Sequence, residues 1–159
     1  MKLLALFQWL EDTGVARAVR DSAWLFPVIE GVHLGAFAVI GGAILLVDLR
    51  LFGFGLRGQP IALVAREAQP WLLGSLAVMI VSGSLLFLSE AVKCYYSQPF
   101  WVKMSALCLA IPFTFTVRRR VATADEVPAR PVRAWLVALA SIALWGSVAW
   151  GGRWIGFSG

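Results

Sequence analysis

The stretch PVIEGVHLGAFAVIGGAILLV, Pro27 to Val47, decides the fold of this chain. Its 21 residues, at ~1.5 Å of rise each, reach across the ~30 Å hydrocarbon core of a bilayer as one helix. Two of its residues do not belong in hydrocarbon, Glu30 and His33, and His33 is the single histidine of the protein. An ionisable side chain at membrane depth is costly, so it is ordinarily turned inward, paired and used. The stretch predicts a membrane helix that carries part of a polar site.

The composition points the same way. Of 159 residues, 60% are hydrophobic and mean hydropathy is +0.79, whereas a soluble domain is nearer ~45–50% apolar. The length suits one domain. The net charge of +5 does not indicate nucleic acid, because the basic residues sit between apolar runs, as topology signals do. Cys94 and Cys108 are too few and too far apart for a zinc site or a disulfide framework. The opening MKLLALFQWLED resembles a signal peptide only briefly: Glu11 and Asp12 close its apolar run and no small-x-small cleavage site follows, so it is expected to be retained.

The expected architecture is an all-α membrane protein, a four-transmembrane-helix bundle preceded by an N-terminal amphipathic interfacial helix. Residues 1–23 form the interfacial segment, with Leu3, Leu6, Phe7 and Leu10 at helical spacing; packing on the end of the bundle is the alternative for it. The transmembrane domain covers residues 24–156, with spans at about 27–47, 70–92, 99–117 and 131–150. Each span opens at a proline (Pro27, Pro70, Pro99, Pro131), whose missing N–H costs nothing in a first turn. Pro112 lies inside the third run and should kink it. The loop with Asp125, Glu126 and Pro128 reads as solvent-exposed.

Orientation follows from the Lys/Arg bias. Eight arginines, Arg50, Arg57 and Arg66 among them, fall on one side and six cations on the other, where five acids accompany them. The arginine-rich loops are therefore placed in the cytoplasm of a bacterial inner membrane, with both termini and the Lys93–Gln98 turn outside. Trp71 and Trp135 would mark the inner interface, and Trp24, Trp101, Trp150 and Trp154 the outer one.

Counting rise along each helix puts Glu30, His33, Glu90 and Lys103 at similar depth on the outer half of the bundle. They form a candidate ligand or cofactor site, rimmed by Tyr95, Tyr96 and Trp101. Haem is one candidate cofactor, with His33 and either Met104 or Met79 as axial ligands; quinone is another. Glu30 and His33, three apart, share a helix face. Glu-x-x-His is also the pair found in di-iron bundles, but those need a second pair, and one histidine cannot supply it. The plainer reading makes His33 a bonded core residue and Glu30 a first-turn carboxylate facing the positive helix end.

Asp48 and Arg50 close the first span and read as structural ion-pair residues, with Asp48 meeting either Arg50 or an arginine of the 118–120 run. Gly31 and Gly35, followed by Ala38 and Gly42, make a small-residue stripe suited to close helix contact. No nucleophile–base pair is visible. The leading reading is a non-enzymatic binding or accessory subunit, working with other membrane subunits or by self-association. A proton-linked oligomeric transporter using Glu30 and His33, and a structural assembly protein, are the alternatives.

The pattern Trp24-Leu-Phe-Pro27-x-x-Glu30-x-x-His33, ending in Asp48-Leu-Arg50-Leu-Phe-Gly53, together with Tyr96-x-x-x-Phe100-x-x-Lys103, resembles an uncharacterised family of small bacterial four-span membrane proteins. The resemblance runs from Trp24 to about Phe115 and carries no activity. It implies that Glu30, His33, Asp48, Arg50 and Lys103 belong to the family's pattern.

Overall fold

The structure, a computed structural model, describes residues 2–55, 58–124 and 131–155. Two short helices, α1 (Lys2–Glu11) and α2 (Gly14–Asp21), precede the first long helix, α3 (Leu25–Leu51). Then follow α4 (Ile61–Ser89), the short α5 (Ala91–Tyr96), α6 (Gln98–Ala122) and α7 (Pro131–Ile155). No strand occurs among the described residues. Four of these helices, α3, α4, α6 and α7, are long and apolar enough to cross a bilayer. Such a chain is a multi-pass membrane protein, because only helices that satisfy their own backbone bonds persist in hydrocarbon.

The long helices alternate in direction. One end of the bundle therefore holds the start of α3, the end of α4, the start of α6 and the end of α7; it is called the His33 end below. The opposite end is called the Asp48 end. The main helix pairs are α3 with α4 and α6 with α7, and α3 also touches α7. The core is seamed by Ile40, Ile44 and Val47 of α3, while alanines such as Ala106, Ala110 and Ala138 let α6 and α7 approach closely.

Two element boundaries differ from the sequence reading. The helix that carries the second apolar run begins at Ile61, ahead of Pro70, so Pro70 lies inside α4. Val64 and Ala68 are buried ahead of it, and a proline is tolerated inside a membrane helix when neighbouring groups satisfy the freed carbonyl. The third span runs on to Ala122. Pro112 is followed at once by a π turn, Thr114–Arg118. A π turn holds one extra residue and turns the chain after it back by ~100° relative to an unbroken α-helix. Thr114, Arg118, Val121 and Ala122 are all buried, so the turn keeps the end of α6 facing inward.

The N-terminal segment is two short helices separated at Asp12–Thr13 and docked against α4 and α5. Phe7 of α1 packs edge-on to Phe87 and Tyr95, with centroids 5.4 and 5.3 Å away. Glu11 Oε2 accepts the backbone N–H of Val92 in the first turn of α5 at 2.6 Å, while Oε1 takes Arg20 at 3.1 Å. Thr13 caps α2 by accepting from Ala16 N–H at 3.3 Å. The expected loop with Asp125, Glu126 and Pro128 lies outside the described residues, as do Arg57 and Arg130.

Candidate functional site

At the His33 end, the imidazole reaches from α3 to α4. Its Nδ1 lies 2.9 Å from Ser82 Oγ. The Ser82 hydroxyl already donates to the Val78 carbonyl at 2.7 Å, so its oxygen is left to accept and the ring nitrogen donates. Gly83 makes room for the ring: a methyl there would sit 3.0 Å from His33 Cε1. The close approach of α3 to α4 at this depth is thus built from one histidine, one serine and one glycine.

Lys103 enters from α6. Its stem lies against α7 over Gly151 and Gly152. A Cβ at Gly151 would stand 2.9 Å from Lys103 Cβ and 3.0 Å from the Pro99 carbonyl, and one at Gly152 would be 3.6 Å from Lys103 Nζ. The glycine pair is therefore a trough for the lysine. Lys103 forms no ion pair with any described residue, yet it lies near enough to act electrostatically on both His33 and Cys94.

Beside Lys103 a groove of about 730 Å³ opens between the α5–α6 corner and the last turns of α7. Lys93, Tyr96, Pro99, Val102, Trp150 and Trp154 are among its walls. Trp150 and Trp154 stack at 5.1 Å. Glu90 stands at the corner of α4 and α5 and pairs with Lys93 at 3.6 Å. Cys94, on α5, is buried; burial pushes its thiol up to about 11, and the negative charge of Glu90 adds to the shift.

The structure therefore brings together part of the expected constellation. His33 and Lys103 share a region, and Glu90 borders it. Glu30 does not join them: it is exposed on α3 and makes no hydrogen bond or ion pair with a described residue. Met104 is also exposed, at 37%, so it does not face His33 as a second ligand would; Met79 is buried on α4. Among the described residues no group of three or more His, Cys, Asp or Glu side chains is placed to hold a metal ion. Gly31 and Gly35 lie exposed, and a Cβ at either meets nothing within 4 Å. Within the chain, the close helix contacts fall at Gly83 and Gly151 instead.

Asp48 and Arg50 do not pair with each other. Asp48 accepts from Arg118 Nε at 2.7 Å, with the two side chains 0% and 6% exposed. Arg118 Nη2 also donates to the Ile44 carbonyl at 2.9 Å. Arg50 turns to the loop and donates to the Gln59 carbonyl from Nε and Nη2 at 3.0 and 2.9 Å. Nearby, Trp145 Nε1–H donates to Thr114 Oγ1 at 3.0 Å. Asp48 Oδ2 and Ser141 Oγ are buried without a partner in hydrogen-bond geometry, though Ser141 neighbours the carboxylate.

Sequence reasoning missed Ser82, Gly83 and the Gly151–Gly152 pair. A serine and a glycine side by side in α4, and a double glycine near the end of α7, were visible signals of close approach. The helix across from each was not visible.

The family model described as "Family of unknown function (DUF6644)" matches residues 7–158 of the chain. No curated protein and no solved structure matches it.

Proposed function

Starting from a chain that belongs to that family of unknown function, we propose that this protein is a non-catalytic membrane subunit that binds a ligand or partner at its His33 end. The observation that supports it is Lys103, a cation inside a membrane span with no counter-charge among the described residues, beside His33 and an open groove. An ion at that depth is ordinarily paired, and an anionic or polar partner supplied from outside the chain would complete it. The proposed setting is a bacterial inner membrane with the His33 end outward, as the arginine distribution suggests.

The test is purification of the full chain in polymer-bounded native membrane discs, followed by an inventory of what stays bound. Oxidised and dithionite-reduced absorption spectra report haem, solvent extraction reports quinones and lipids, and mass spectrometry reports subunits. A companion retained in stoichiometric amount by the wild type and lost by His33→Ala and Lys103→Met, with thermal stability kept, supports the reading. Discs free of any such companion, together with His33-dependent proton flux in proteoliposomes, would replace it with the transporter reading. A second reading, assembly through α3, draws on the exposed Gly31–Gly35 stripe, with Glu30 beside it unpartnered among the described residues. It expects Gly31→Leu combined with Gly35→Leu to reduce the oligomer to monomer, and an unchanged oligomer removes it.

A further inference from the structure

We propose that the groove between the α5–α6 corner and the end of α7 is a binding site for one anionic phospholipid drawn from the surrounding bilayer. The inference rests on the proposed binding role of the His33 end and names the ligand class.

Three features of the groove select that class. The first is charge. Lys93 lines the groove, and Lys103 packs against its Gly151 wall with the ammonium beside the neighbouring Gly152. Glu90 offsets Lys93 at 3.6 Å, but Lys103 has no carboxylate partner among the described residues. The net local charge is positive, and basic pockets between membrane helices hold anionic headgroups. The second is backbone. Gln98 and Pro99, the first residues of α6, are part of the wall, so the positive end of a long helix faces the same space.

The third feature is the apolar side. Trp150 and Trp154 are 64% and 49% exposed, and Val102 is 53% exposed. They run from the groove onto the surface of the bundle, where an acyl chain would lie. Tryptophan suits that boundary, because its ring is apolar and its N–H stays near the headgroups. A small soluble anion would use the charges and leave the aromatic wall bare. A neutral lipid would use the wall and leave Lys103 unpaired. A phospholipid of net negative charge uses both.

The experiment uses the full chain in nanodiscs made from equal parts phosphatidylglycerol and phosphatidylcholine. After gentle transfer to detergent, native mass spectrometry counts the lipid that stays bound. We expect the wild type to retain phosphatidylglycerol over phosphatidylcholine by about tenfold, equivalent to ~1.4 kcal/mol. Lys103→Met combined with Lys93→Gln should bring the ratio to about one. Trp150→Ala should shorten retention of both lipids. Arg119→Gln with Arg120→Gln, at the other end of the bundle, should leave the ratio as it was. A circular-dichroism melt of each variant confirms that it is folded, and Lys93→Gln alone serves if the double variant is not.

Equal retention of the two lipids by the wild type, or a preference unchanged in the lysine variants, overturns the proposal. So does displacement of the lipid by millimolar inorganic phosphate, which would make the groove a site for small anions. The broader binding role fails separately. If a His33-dependent companion is found while lipid preference is absent, the subunit role stands without this ligand; if phosphatidylglycerol is retained but nothing depends on His33, the groove stands without the histidine.

Discussion

The two ends of the bundle handle buried charge in opposite ways. At the Asp48 end a carboxylate and a guanidinium meet at 2.7 Å with almost no exposure, and the neighbouring cavity is only about 40 Å³. At the His33 end a lysine lies in a glycine trough without a carboxylate partner among the described residues, beside about 730 Å³ of open groove. The first arrangement is closed and serves the fold. The second leaves a charge and a space for something outside the chain. Charged residues within spans differ in whether the chain itself supplies a partner, and the proposed binding role rests on that difference.

The sharpest way to break this contrast is to remove one cation from each end. Arg118→Met leaves Asp48 buried and unpaired, and such losses cost ~3–5 kcal/mol; a denaturant titration in detergent should show it. Arg118→Met joined with Asp48→Leu should recover much of that loss. Lys103→Met orphans no described partner, so the same titration should find it neutral or stabilising. Equal losses for Arg118→Met and Lys103→Met would mean that both cations serve only the fold.

The next effect in size concerns glycine. Gly151→Ala pushes a methyl against Lys103 Cβ and the Pro99 carbonyl, at 2.9 and 3.0 Å, and should destabilise by ~1–3 kcal/mol. Gly35→Ala meets nothing within 4 Å and should stay within about 0.5 kcal/mol. A reversed order would show that the α6–α7 contact is looser than described. Smaller again is Ser82→Ala, which removes the acceptor of His33 and should cost ~0.5–1.5 kcal/mol.

The smallest effect is on thiol chemistry. Cys94 is buried with its thiol at about 11. The raised value keeps it protonated below that pH, so alkylation should be slow at pH 8 and should climb with pH until about 11. Rapid labelling at pH 7 would show that the α5 corner opens. Burial makes Cys94 a poor reporter of orientation. Single cysteines at Ala23 and Ala124, one exposed at each end, serve better in a chain lacking Cys94 and Cys108: an impermeant reagent should reach Ala23→Cys from outside and miss Ala124→Cys.

Much of the architecture was legible because hydrocarbon imposes length. Four apolar runs yield four spans, and their order sets which residues share an end. Pro70 does not mark the start of its helix, because α4 begins at Ile61 and already buries Val64 and Ala68 before it. Depth was legible too, at ~1.5 Å per residue, and it correctly placed His33 and Lys103 at one end. Azimuth was not. A span that is apolar on all sides has no polar face to show which residues turn inward. Glu30 and Met104 share the depth of the site, yet both lie exposed on the surface of the bundle.

The sequence by itself determined that this is a four-span helical membrane protein with ionisable residues inside its spans, because no other structure satisfies so apolar a backbone in a bilayer. Only the tertiary structure decided which of those residues are partnered. The π turn after Pro112 brings Arg118 round to Asp48, while the close approach of α6 and α7 at Gly151 leaves Lys103 beside an open groove. Those outcomes depend on the rotation of each helix about its axis, which is set by packing between helices distant in sequence.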